Sequence, residues 1–150
     1  MNNNIIIGQG IGPARFGMSN NEIIEFFGKP NEIEKEQNGE INSITMFYDD
    51  LLTDFVCELD EDNIYKLTSI LVSNPDYVID NKIHFGDSEE QLIKYTKSLK
   101  AENPQIEIDQ AAKEKYLYFD DLNMLAIFDQ EGLATIQIGM WDDEDEDENN

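Results

Sequence analysis

The chain has 150 residues, 40% of them hydrophobic, one cysteine and a formal net charge of −23. That length accommodates one ordinary domain or two very small ones. The charge excludes a nucleic-acid backbone or an anionic membrane as partner, since both would be repelled, and favours a basic protein met by electrostatic steering.

In chain order, Ile5, Ile6 and Ile7 form a short lead-in strand, and Gly8, Gly10, Gly12 and Pro13 make a loop. The spacing of those glycines is not a dinucleotide fingerprint, because the strand before it is too short and Pro13 interrupts the helix that should follow. The opening residues carry no basic region and no window approaches about 18 apolar residues, so the expectation is a cytoplasmic protein without export signal or membrane span. Ser19 with Glu22 reads as a capping box opening a helix over 19–27, which Gly28 and Pro30 terminate. Four strands are then expected over 31–37, 41–48, 53–59 and 64–72, as an antiparallel meander. Asn38-Gly39 is the strongest of its turn signals. Within 41–48, Ile44, Met46 and Tyr48 fall on one face and Ser43, Thr45 and Phe47 on the other. Cys57, in the apolar run Phe55-Val56-Cys57, reads as a buried thiol with no partner for an internal disulfide.

Asn74-Pro75-Asp76 is the only linker-like stretch. Beyond it, Ser88 with Gln91 forms a second capping box, and the helix it opens runs to about Lys100, stopped by Asn103-Pro104. Strands over 105–109, 113–119, 123–128 and 133–140 complete the second half. Detail recurs along with order. Phe16-Gly17 is answered after 69 residues by Phe85-Gly86, Tyr48-Asp49-Asp50-Leu51 after 71 by Phe119-Asp120-Asp121-Leu122, and Leu59 to Ile64 after 69 by Phe128 to Leu133. The fold class expected is therefore α+β. Two tandem units of one helix and a four-stranded meander (αβ4), 1–74 and 78–141, would share one curved sheet with the helices on one face. Residues 142–150 hold seven of the 33 acids and read as a disordered acidic tail, leaving −16 on the rest.

The phrase Arg15-Phe16-Gly17-Met18-Ser19 leading to Phe27-Gly28-Lys29-Pro30 resembles a signature of several bacterial families. It is similar to the units of the β-lactamase inhibitor protein and of the small-protein-A outer-membrane lipoproteins. The tandem arrangement over residues 11–140 resembles the former more. That resemblance implies two αβ4 repeats in one curved sheet whose concave face grips a partner enzyme. In the second unit the closing motif has decayed to Leu99-Lys100-Ala101-Glu102-Asn103-Pro104, and no inhibitor contact residue carries over by motif. The lipoprotein branch implies an export signal and a lipid-bearing cysteine near the start, which the opening residues do not resemble.

No catalytic constellation is legible. His84, the only histidine, stands just before the second Phe-Gly turn and reads as structural, and zinc would lack soft ligands. Asp60-Glu61-Asp62-Asn63 faintly echoes a calcium loop but lacks its later Gly and Glu, so a turn explains it better. The expectation is a protein that is not an enzyme and uses no metal or cofactor. The candidate partner-binding positions are Tyr48, Asp49 and Asp50, their counterparts Phe119, Asp120 and Asp121, and Trp141 with Asp142 and Asp143. There aromatics would anchor a partner while carboxylates hold its Arg or Lys. The bland reading of these positions is turn-forming Asp and core aromatics. The function expected is an immunity protein neutralising a basic toxin, possibly a nuclease. The alternatives are a structural or regulatory module of a larger assembly, or a DNA mimic. Oligomeric state is left open.

Overall fold

Tight turns dominate the start of the chain. The computed structural model describes residues 3–139. Strand β1 (Asn4–Ile6) turns back onto β2 (Gly10–Ile11), and the chain reverses again at Gly12-Pro13 into β3 (Ala14–Arg15). Arg15 fastens that turn by donating from Nη1 to the carbonyls of Gly12 and Ala14, at 2.6 and 2.8 Å. Helix α1 (Asn20–Phe27) starts where Ser19 Oγ accepts the Glu22 N–H at 3.2 Å and the Glu22 carboxylate accepts the Ser19 N–H at 2.9 Å. Two of the helix's orphan donors are thereby satisfied. Gly28, at φ 85°, returns its N–H to Ile24 and ends the helix.

Strands β4 (Glu32–Asn38), β5 (Ile41–Tyr48), β6 (Thr53–Leu59) and β7 (Tyr65–Val72) then run antiparallel in sequence. Strand β8 (Val78–Ile79) turns through Asp80 and Asn81, both left-handed, into β9 (Ile83–His84). Helix α2 (Glu89–Ser98) carries the second capping box, Ser88 with Gln91, at 3.2 and 2.8 Å. Strands β10 (Gln105–Asp109), β11 (Glu114–Phe119), β12 (Met124–Asp129) and β13 (Gly132–Gly139) follow. Among the described residues no helix is long and apolar enough to cross a membrane.

These elements correct the expected α+β fold of two αβ4 units. The described chain is mostly β: thirteen strands, and only two α-helices, of eight and ten residues. The strands lie in two sheets. One has eight strands in the order β10-β11-β12-β13-β7-β6-β5-β4, and the other has five in the order β3-β2-β1-β8-β9. No αβ4 unit contains the five-stranded sheet. Its central pairing is parallel, Ile5 beside Ile79, between residues far apart in sequence. Two- and three-residue strands show no periodicity, and the glycine-rich stretch at 8–13 and the segment after Pro75 carry turn signals instead. Local patterning therefore finds only the lead-in strand at Ile5 to Ile7, which overlaps β1, and not the sheet it belongs to.

The second sheet is held by side chains as well as by its ladder. Asp80 accepts the Ile7 N–H on one carboxylate oxygen (3.0 Å) and the Tyr95 hydroxyl of α2 on the other (2.6 Å). Asn4 Oδ1 accepts the Asn81 N–H at 3.0 Å. Burial, and then the Asp80 carboxylate that accepts its hydrogen bond, push the Tyr95 hydroxyl pKa upward.

One hydrophobic cluster joins all layers. Ile44, Met46 and Tyr48 of β5, Phe55 and Cys57 of β6, and Ile136 and Ile138 of β13 meet Ile23 of α1, Leu92 of α2, and Ile5 and Ile79 of the small sheet. Both helices and the small sheet thus share a core with the same side of the large sheet. Phe27 packs on Phe55 and Tyr48, with centroids 5.1 and 6.1 Å apart, and the Tyr48 hydroxyl donates to the Gly28 carbonyl at 2.6 Å. Cys57 is fully buried, and that burial pushes its thiol up to about 12.

The Phe-Gly turns are tied down alike. Gly17 donates to Leu67 (3.0 Å) and Leu67 returns its N–H to Met18 (2.8 Å); Gly86 donates to Leu133 and Leu133 returns to Asp87, both at 2.9 Å. Leu133 therefore answers Leu67, not Ile64. The sequence correspondence at the last turn is displaced by three residues, because the loop between β6 and β7 is longer than that between β12 and β13.

Candidate protein-binding face

Side chains alternate along each strand, so a sheet packed on one side leaves a second face open. In β5 the buried residues are Ile44, Met46 and Tyr48, while Ser43, Thr45 and Phe47 are only partly covered. The pairing register carries this open side across the whole sheet. Gln105 lies beside Tyr118, Tyr118 beside Leu125, Leu125 beside Gln137, and Gln137 beside Leu71. Leu71 lies beside Asp54, Asp54 beside Phe47, and Phe47 beside Glu32. A single row of eight thus crosses the face, in which Tyr118, Leu125, Leu71 and Phe47 are interspersed with Gln137 and Asp54, between Gln105 at one end and Glu32 at the other.

Neighbouring rows repeat the arrangement. On one side Glu107, Tyr116 and Ile127 are adjacent; on the other, Glu34, Thr45, Val56 and Ser69. Hydrogen bonds stiffen the centre, Gln137 Nε2 to Ser69 Oγ at 3.0 Å and Ser73 Oγ with Thr135 Oγ1 at 2.9 Å. At the margin the Tyr118 hydroxyl donates to Glu107 (3.1 Å) and that of Tyr116 to Glu114 (3.0 Å). Tyr118 is pushed up by desolvation and then by Glu107; Tyr116 is pushed up first by its bond to Glu114.

The sequence-derived positions divide in a definite way. Tyr48 and Phe119 are 5% and 2% exposed and point into the core. Asp49 and Asp50, and Asp120 and Asp121, are exposed on two equivalent 3-10 turns, Asp49–Leu51 and Asp120–Leu122. The aromatics that reach the open face are one residue earlier, Phe47 and Tyr118. Strict alternation from Ile44, Met46 and Tyr48 is the signal that separates them. Trp141, Asp142 and Asp143 lie outside the described residues.

Each turn opens a shallow cleft on this face. One, of about 350 Å³, is lined by Tyr118, Asp120, Asn123, Leu125 and Gln137. The other, of about 330 Å³, is lined by Asp49, Leu52, Asp54, Leu71 and Ser73. Strands β11 and β5 are separated by five antiparallel steps, so they run in opposite directions and their turns leave opposite ends of the sheet. The two acidic corners are therefore diagonal across the open face and not side by side.

Asp54 lies inside the row, and among the described residues no cation pairs with it. Burial, and then the neighbouring Asp49, hold its carboxyl above the usual carboxylate range. The folded state thus binds that proton more tightly than the unfolded chain, so the ionised form opposes folding above the raised value. The penalty fades as pH falls through the raised value and is gone below the ordinary one. Asp54→Asn is expected to raise the melting midpoint at pH 7 and to leave it unchanged near pH 3. Equal effects at both pH values in thermal melts would count against this electrostatic account.

Other candidate groups are spent on structure. Asp60 accepts the Asp62 and Ile64 N–H groups at 2.8 and 3.0 Å and pairs with Lys66 at 3.2 Å, and the Ile64 bond foremost lowers its pKa. His84 is exposed, and its N–H donates to Asp87 at 2.9 Å.

No protein-family model matches this chain, and no curated protein matches it. Among solved structures it is similar to a DUF4309 family protein (YjgB) from Bacillus subtilis. The identity is 10% and the TM-score 0.50, with 88% of this chain and 87% of that one covered. It is also similar to an extracellular protein containing an SCP domain from Bacillus anthracis. There the identity is 13% and the TM-score 0.49, with 87% of this chain and 45% of that one covered. The first likeness shows a shared fold and carries no activity with it.

Proposed function

We propose that this chain is a non-enzymatic binding protein whose open sheet face occupies a basic protein, in the role of a cytoplasmic immunity protein against a basic toxin. The observation supporting this reading is the row from Gln105 to Glu32, in which Tyr118, Leu125, Leu71 and Phe47 are interspersed with Gln137 and Asp54, while the edge strands beside it carry Glu32, Glu34, Glu107 and Asp109 on the same side. Half-exposed aromatics supply contact area at small entropic cost, and flanking carboxylates steer a cationic partner and exclude acidic ones. Eight strands about 4.8 Å apart make a face roughly 34 Å wide. That width suits a standard interface of about 800 Å² on each partner. A nuclease is the apt target, because its site must attract phosphate and is therefore basic.

The test begins with the tagged full chain, recovery of its partner from the native host and identification by mass spectrometry. The partner should be basic, with an association rate that falls about tenfold or more between 50 and 500 mM salt. Phe47→Ala and Tyr118→Ala should each weaken binding about tenfold or more while leaving the melting midpoint nearly unchanged. An acidic partner, or an affinity indifferent to salt and to both substitutions, would sink the proposal. Capture of a housekeeping DNA-binding protein would replace immunity with DNA mimicry.

A further inference from the structure

Among the described residues the large sheet has two free margins, β4 and β10, and the five residues of β10 correspond to the first five of β4. Glu32 pairs with Phe47 as Gln105 pairs with Tyr118, so Ile33, Glu34, Lys35 and Glu36 answer Ile106, Glu107, Ile108 and Asp109. On the open side the two margins are alike, with acids at Glu34 and Glu36 and at Glu107 and Asp109. On the helix side they differ at one position. β4 places Lys35 there, and a charge on the packed side is a standard guard against edge pairing. β10 places Ile108 there, 62% exposed, beside Ile106 at 49%. All five β10 residues are exposed, and no described strand pairs with its outer side. An unguarded edge with exposed isoleucines is a template for another strand.

We propose that the outer edge of β10 is a strand-addition site for a partner segment in which apolar side chains alternate with Lys or Arg. An added strand continues the pleat. Its open-side residues stand beside Glu107 and Asp109, which favours cations there. Its helix-side residues stand beside Ile106 and Ile108, which favours Val, Ile or Leu. A second copy of this chain is a poor occupant. The antiparallel self-pairing that uses all five residues sets Glu107 against Glu107, and like charges directly opposite are destabilising. This proposal stands on the edge alone and does not require the open face to be an interface.

The probe is a capped peptide of about nine residues alternating Lys and Val, with a Glu/Val peptide as control, titrated into the isotopically labelled full chain. The Lys/Val peptide is expected to shift the amide resonances of Gln105–Asp109 and to slow their hydrogen exchange. The Glu/Val peptide should do neither. Ile108→Lys, which copies the guard of β4 at an exposed site, should weaken the Lys/Val peptide about tenfold or more while leaving the remaining spectrum intact. Three results would overturn the assignment. They are no β10 response at millimolar peptide, unchanged affinity in the Ile108→Lys variant, and a peptide-free dimer paired through β10.

Discussion

Phe55→Ala is expected to cost about 3–5 kcal/mol of folding stability, a large share of the roughly 5–15 kcal/mol available to a domain of this size. Phe55 is fully buried in β6, between Met46 and Ile70 in the ladder, with rings of Phe27 and Tyr48 centred 5.1 and 5.5 Å away. Removing it deletes an aromatic pair on each side and leaves a cavity that rigid strands cannot collapse to fill. Urea denaturation should show a lowered midpoint with an unchanged slope. Phe47→Ala supplies the contrast. Phe47 is the same residue type one strand away but on the open face, so its loss should cost about 1 kcal/mol or less. The comparison decides which side of the sheet is core. If Phe47 proved the costlier of the two, the open face and the binding reading built on it would both be wrong.

That parity is legible in the amino-acid sequence alone. Alternation of Ile44, Met46 and Tyr48 against Ser43, Thr45 and Phe47 needs only the two-residue period of a strand, and the buried set is the apolar one. Both helix starts are legible too, because a capping box is a contact among residues three apart. Contacts made by a few residues over long separations are not. The bridge from Ile5 to Ile79 and the bonds that Asp80 accepts from Ile7 and Tyr95 leave no periodic trace, so local patterning shows the strand at Ile5 but not its partners, and the α+β expectation misses the second sheet. Tyr48 and Phe119, alone among the described candidate positions, turn into the core, and for a different reason. Matching Tyr48-Asp49-Asp50 with Phe119-Asp120-Asp121 locates two true corners, but adjacency to a turn says nothing about which face an aromatic takes. Five antiparallel steps then separate those corners to opposite ends, a consequence of strand order that no local motif encodes.

Gly132→Ala is expected to cost about 2–5 kcal/mol despite adding a single methyl group. Gly132 opens β13 at φ +109°, a conformation closed to residues with a Cβ. A Cβ there would drive into the Gly86 carbonyl and lie 2.8 Å from the Asp87 carbonyl oxygen. Both obstacles are backbone, so no side chain can swing aside. The turn must move, and with it the two bonds that join Gly86 and Asp87 to Leu133. The damage should therefore spread to the start of α2, whose cap Ser88 follows directly, and to the β12–β13 hairpin. The corresponding position in the first half is Lys66, which faces Glu58 as Gly132 faces Asp129. A full side chain is accommodated there because Lys66, unlike Gly132, does not take a positive φ. Lys66→Ala should accordingly stay within about 1 kcal/mol, limited to one half-exposed ion pair with Asp60. Hydrogen exchange separates this from uniform weakening: Gly132→Ala should release Leu92 and Leu133 amides well before those of Phe55 and Ile70. Simultaneous release of all four would show that the strain is not local to the second turn.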